Sequence, residues 1–171
     1  NIAFAVRARF VLLRDLGSAL SPTNAFNFIQ GFETLPLRFK QHQENAEKVA
    51  DYLLNKKKVK HVIYPKYQKG VHKERAEKYL ENGNGPLVGF ELEGGIDAGK
   101  AFIDNLKLLY HVANIGDSRT LAIHPATTTH SQLNVEDQLK TGVTPGYIRL
   151  SVGIEHIDDI INDLDQAIDK T

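Results

Sequence analysis

No cysteine occurs among the 171 residues, which excludes disulfides, thiolate metal sites and a cysteine nucleophile within this chain. That absence fits an intracellular protein. Methionine and tryptophan are missing too. Without an initiator of its own, and opening directly on an apolar helical pattern, the chain is expected to be part of a longer protein. Charge shows no surplus of either sign: 21 basic and 21 acidic residues cancel. A nucleic-acid binder would instead concentrate a basic excess on one face. No apolar run approaches the roughly 20 residues that span a membrane. The stretch from Ile2 to Leu16 carries Arg7, Arg9, Arg14 and Asp15 and lacks the basic, apolar, small-residue order of a secretion signal.

What is present has the balance of an ordinary globular domain, with 42% hydrophobic and 25% charged residues. Ser21-Pro22 predicts a helix start, since serine can accept from the first free amides and proline is harmless at the first helical position. That helix should carry Ala25, Phe26, Ile29 and Phe32 and end or kink before Pro36. A second helix is expected from about Leu37 to Asn55, with Ala46, Val49, Ala50 and Leu53 on its buried face. Lys56-Lys57-Lys58, followed by Lys60, then reads as a solvated helix end, where cations suit the dipole.

Val59 to Tyr64 reads as a strand stopped by Pro65, and a short helical piece follows around His72 to Leu80. The run Asn82-Gly83-Asn84-Gly85-Pro86 has the wrong spacing for a phosphate loop and reads as a turn. Leu87 to Glu93 alternates as a half-buried strand, with Val88, Phe90 and Leu92 inward. Gly94-Gly95 breaks it, and Asp97 is expected to cap a helix carrying Ala98, Ala101, Phe102 and Leu106. Strands are predicted at Leu109 to Ile115, Leu121 to His124 and Tyr147 to Gly153, with a short helix near Val135 to Lys140. Ile157, Ile160, Ile161, Leu164 and Ile168 mark a closing amphipathic helix with Asp158 and Asp159 in its first turn. Strands interleaved with helices give an α/β class, an α+β sandwich whose small sheet is covered on one face by helices.

Alternation puts Arg149 and Ser151 on the face opposite Ile148, Leu150 and Val152. An arginine there can present its planar fork to a carboxylate, or it can pair across the sheet with Glu91 or Glu93. His124 and His130 flank Pro125-Ala126-Thr127-Thr128-Thr129, a spacing that matches no standard zinc pattern, so no metal is expected. Neither a G-x-S-x-G elbow nor an H-E-x-x-H helix occurs.

Several segments, taken together and in order, resemble the pyridoxal-phosphate enzymes of cysteine and methionine metabolism. They are Leu13 to Gly17, Ser21 to Phe26, Gly31 to Arg38, His42 with Asn45-Ala46, Asn114 to Leu121, His124 to His130, and Ile148 to Glu155 leading into Asp158-Asp159. Asn114-Ile115-Gly116-Asp117 and the Thr-Thr-His ending look like the O-acetylhomoserine sulfhydrylase branch. The cystathionine γ-synthase/γ-lyase and methionine γ-lyase branches are the alternative within the family, and a stand-alone binding or assembly domain is the alternative outside it.

The resemblance implies that residues 1–171 form one C-terminal domain, with leading helices at 1–57 and a sheet-and-helix sandwich at 58–171. The sheet would be mainly antiparallel, as in fold-type I pyridoxal-phosphate enzymes, and a separate N-terminal domain would hold the cofactor. It implies that Arg149 holds a substrate α-carboxylate, with Asn114 beside it and Ile115 and Thr120 lining the same region. The Schiff-base lysine is expected outside this chain, since Lys40, Lys48, Lys100 and Lys107 fall on helix faces or in polar loops. The chain alone would then bind no pyridoxal phosphate and catalyse nothing. The whole protein would be a cytoplasmic homotetramer acting on a small amino acid, with neither nucleic acid nor membrane as a partner.

Overall fold

The computed structural model describes residues 2–171, which divide into two compact units, 2–36 and 37–171. In the first, helix α1 (Ala3–Arg7) runs through a π-helical stretch, Ala8–Leu13, into α2 (Arg14–Leu16). Gly17, at φ 69°, ends it in the left-handed conformation that glycine adopts without strain. Helix α3 (Pro22–Glu33) starts as the sequence predicts: the Ser21 side chain accepts from the Asn24 amide at 3.2 Å, with Pro22 at the first position. Neither stretch contains a buried residue; Phe4 is 86% exposed, and Phe26, Ile29 and Phe32 also lie open.

Helix α4 (Leu35–Leu54) begins two residues before the predicted start, with Pro36 in its first turn, where its missing N–H costs nothing. Its face of Ala46, Val49, Ala50 and Leu53 is fully buried in the same core as the sheet. The helix therefore belongs with the sandwich, whereas the sequence division at 57/58 grouped it with the leading helices. Packing of the apolar stripe, more than chain order, decides its place.

Strands β1 (Val59–Ile63), β2 (Leu87–Leu92), β3 (Tyr110–His111), β4 (Leu121–Ile123) and β5 (Tyr147–Ser151) form one sheet in the order β1-β2-β5-β4-β3. All neighbours pair antiparallel except β3 with β4. Helices α5 (Val71–Tyr79), α6 (Gly95–Asn105), α7 (Val135–Lys140) and α8 (Ile157–Asp169) complete the unit. Val62, Val88, Phe90, Leu92, Ala122, Ile148 and Leu150 form one sheet face, covered by apolar residues of α4, α6 and α8. Phe90 meets Phe102 of α6 edge-to-face, ring centres 5.5 Å apart.

Several expectations are corrected. Helix α6 starts at Gly95 with Gly94 as its cap residue, φ 95°; Asp97 lies in the first turn and does not cap. Strand β3 is two residues long, because Val112 to Ile115 turn away into an exposed loop. The lysine run is no solvated helix end. Lys56 pairs with Asp165 and Asp169 of α8 at 2.5 and 2.7 Å. Lys58 Nζ donates to the carbonyls of Ile168 and Asp169 in the last turn of α8 and of Thr171 just beyond it. Lys57 and Lys60 remain exposed.

Candidate functional site

The candidate site is built on β5, on the sheet face opposite the one covered by α4, α6 and α8. Pairing sets Arg149 between Gly89 of β2 and Ile123 of β4. Gly89 leaves its place to the Tyr147 ring, which comes within 2.8 Å of where a Cβ would stand. Burial raises the Tyr147 phenol above its ordinary range, with the nearby Arg149 charge opposing the shift. The guanidinium itself is half-buried. Its Nη2 donates to the Asn114 carbonyl at 3.0 Å, while its Nε is buried without a partner. The pairing with Glu91 or Glu93 considered from sequence is not formed; Glu91 instead meets Lys60 at 3.2 Å.

The loop facing Arg149, residues 114–120, is pinned along its length. The Asn114 side chain accepts from the Ile115 amide at 2.9 Å, and the Gly116 amide donates to Ser151 Oγ at 3.1 Å. Asp117 accepts from the Arg119 guanidinium and amide, and these bonds hold its carboxyl down at about 2. Arg119 also lies 4.4 Å from the centre of the Tyr110 ring. Already neutralised by Asp117 and stacked, Arg119 is poorly placed to take a ligand carboxylate; Arg149 is not so committed.

Of the residues expected at the site, Arg149 and Asn114 meet directly, through the Asn114 backbone rather than its side chain. Ile115 is next to them and exposed. Thr120 is fully buried and bonds to Glu155, not to Arg149: its amide donates to Glu155 Oε1 at 2.6 Å and its hydroxyl to Glu155 Oε2 at 2.8 Å. The same hydroxyl accepts from the Gly153 amide at 2.9 Å. Helix α4 closes the arrangement. His42 Nδ1 donates to the Val152 carbonyl at 2.7 Å, and Asn45 Nδ2 to the carbonyls of Gly153 and Glu155.

The histidines of the threonine-rich loop do not face a common ligand. His124 is buried, its Nε2 donating to the Pro145 carbonyl at 2.8 Å and its Nδ1 engaged by Thr127 Oγ1 at 2.9 Å. His130 Nδ1 is bonded to Thr129 Oγ1. Among the described residues no group of three or more histidine, cysteine or acidic side chains could hold a metal.

A family model described as Cys/Met metabolism PLP-dependent enzyme matches residues 3–169. The chain belongs to this family. It is 52% identical to an O-acetyl-L-homoserine sulfhydrylase of Leptospira meyeri over 98% of its own length and 38% of that protein's. With O-acetyl-L-homoserine sulfhydrylase 1 of Thermus thermophilus the identity is 48%, covering 98% and 40%. A crystal structure from Campylobacter jejuni, described as an O-acetylhomoserine (thiol)-lyase and carrying N'-pyridoxyl-lysine-5'-monophosphate, superposes with a TM-score of 0.89. It is 42% identical and covers 97% of this chain and 39% of its own. The chain thus spans about two fifths of the length of the relatives it matches.

The family depends on pyridoxal phosphate, which can be tested against the residues here. No lysine among those described is buried: Lys40, Lys48, Lys100 and Lys107 are exposed, and Lys56 and Lys58 are committed to α8. None offers the desolvated amine that favours Schiff-base chemistry. The amides of Lys107, Leu108 and Leu109 converge as a phosphate cradle would, but Asp163 of α8 fills them at 2.8–3.2 Å. The described residues do not fit the cofactor's linkage or its phosphate.

Proposed function

We propose that this chain is the substrate-carboxylate domain of a pyridoxal-phosphate-dependent O-acetylhomoserine sulfhydrylase. The whole protein would exchange the acetoxy group of O-acetylhomoserine for sulfide, giving homocysteine and acetate. The observation that supports this reading is Arg149: a guanidinium with a buried, unpartnered Nε and no acidic partner among the described residues, held at the mouth of a loop by one backbone carbonyl. Such a fork is suited to receive a carboxylate, and a bidentate acid would satisfy the orphaned donor. The relatives named as sulfhydrylases support the reaction class.

In this reading Arg149 fixes the substrate's α-carboxylate and so contributes by orientation, with no proton transfer of its own. The Asn114 carbonyl keeps the guanidinium plane in place, and Ile115 offers apolar surface beside it. Pyridoxal phosphate, held by a separate N-terminal domain, supplies the electron sink for the chemistry at the substrate carbons. The chain alone is then without activity, and the whole protein is a cytoplasmic homotetramer.

The test is an assay of the full-length protein with pyridoxal phosphate, O-acetylhomoserine and either sulfide or cysteine. Homocysteine formed from sulfide, with little product from cysteine, supports the reading. Cystathionine formed from cysteine as the preferred reaction would move the protein to the synthase branch.

A further inference from the structure

We propose that Glu155 is a positioning residue for the carboxylate site, acting on Arg149 through the 114–120 loop. The proposal rests on the reading of Arg149 given above. The loop reaches Arg149 at its first residue, whose carbonyl takes the Nη2 donor. Its far end is held by Glu155, whose two carboxylate oxygens take the amide and the hydroxyl of Thr120. Between these ends, Ile154 donates its amide to the Ser118 carbonyl at 2.8 Å.

Glu155 is itself fixed from the opposite side, because its carbonyl accepts from Asn45 of α4 at 2.9 Å. The turn 152–155 thus stands between a rigid helix and the loop, and it transmits the position of one to the other. Gly153 shows how close this joint is. A Cβ there would lie 2.3 Å from Glu155 Oε2 and 2.4 Å from the Ser118 carbonyl oxygen. Carboxylate and loop are packed to within the width of a methyl group.

A glutamine at 155 keeps one acceptor and replaces the other with a donor, so the Thr120 hydroxyl loses its acceptor. The loop end then loses one of its anchors and can shift, and with it the carbonyl that orients Arg149. Small misplacements of a charged clamp weaken carboxylate binding steeply, because both hydrogen bonds depend on the plane of the fork.

The experiment uses the full-length, pyridoxal-phosphate-loaded enzyme with L-homoserine and its carboxamide as paired competitive inhibitors. The quantity read is the ratio of their inhibition constants, alongside KM, kcat and the melting temperature. For Glu155→Gln the expected result is a KM for O-acetylhomoserine raised by about tenfold with kcat changed much less. The preference for carboxylate over carboxamide should fall by a similar factor. A lower melting temperature with the preference intact would overturn the proposal, since a purely structural role weakens both ligands alike. Should Glu155→Gln fail to fold, Thr120→Val removes the hydroxyl's bonds to Glu155 and to the Gly153 amide while keeping the Thr120 amide bond to Glu155, and must still reduce the preference. A wild-type enzyme inhibited equally well by homoserine and its carboxamide would instead sink the reading of Arg149, and this proposal with it.

Discussion

Replacing Gly153 by alanine tests the joint at the end of β5. The added methyl would stand 2.3 Å from Glu155 Oε2, 2.4 Å from the Ser118 oxygen and 2.5 Å from the Arg119 carbonyl carbon. Two of the three are backbone atoms of a loop pinned at several points, so no side-chain rotation relieves them. Overpacking at a site with little give costs about 1–3 kcal/mol. Any shift that relieves it also loosens the Gly153 amide–Thr120 and Thr120–Glu155 bonds, at about 1 kcal/mol or more each. A loss of about 3 kcal/mol is expected.

Gly142→Ala supplies the comparison: nothing lies within 4 Å of its Cβ position, and only its φ of 83° opposes the change, at about 1–2 kcal/mol. Urea unfolding of both variants, followed by circular dichroism, measures the difference. At an m-value of about 2 kcal/mol/M, Gly153→Ala should lower the midpoint by about 1.5 M. A midpoint lowered no more than that of Gly142→Ala would refute the reasoning, because the joint would then yield without cost.

Two further outcomes follow from buried polar groups. Asp163→Asn should destabilise the fold by about 2–3 kcal/mol in the same urea experiment, since a carboxylate taking the amides of Lys107, Leu108 and Leu109 becomes a neutral group with one acceptor oxygen. Burial holds His124 below the ordinary histidine value of 6.5. As pH falls below that value the unfolded chain takes up the proton first, so stability present above 6.5 is lost on acidification through the folded pKa. Unfolding midpoints measured between pH 5 and 7.5 should rise with pH, and His124→Asn should flatten that rise.

Elements with strong local periodicity were legible in the sequence. The stripe of Ile160, Leu164 and Ile168, the buried face of α4 and the alternation of β2 and β5 all occur as predicted. Each depends on neighbours three, four or two residues apart. What was hidden depends on partners distant in the chain. Nothing local tells that Lys56 and Lys58 close the end of α8, or that Asp163 fills three amides 54 to 56 residues earlier. The same holds for Glu155 with Thr120, and for His42 and Asn45 with the 152–155 turn. Arg149 could be placed on the right face from alternation alone, but its buried, unpartnered Nε appears only once β2, β4 and the 114–120 loop are assembled around it.

The role of Arg149 is tested most directly by Arg149→Ala in the full-length, cofactor-loaded enzyme, with kcat/KM for O-acetylhomoserine as the quantity measured. Removing one partner of a buried charged contact costs about 2–5 kcal/mol, so kcat/KM should fall by roughly 30- to 5000-fold at 25 °C. A kcat/KM equal to wild type would contradict the account and take Arg149 out of the site.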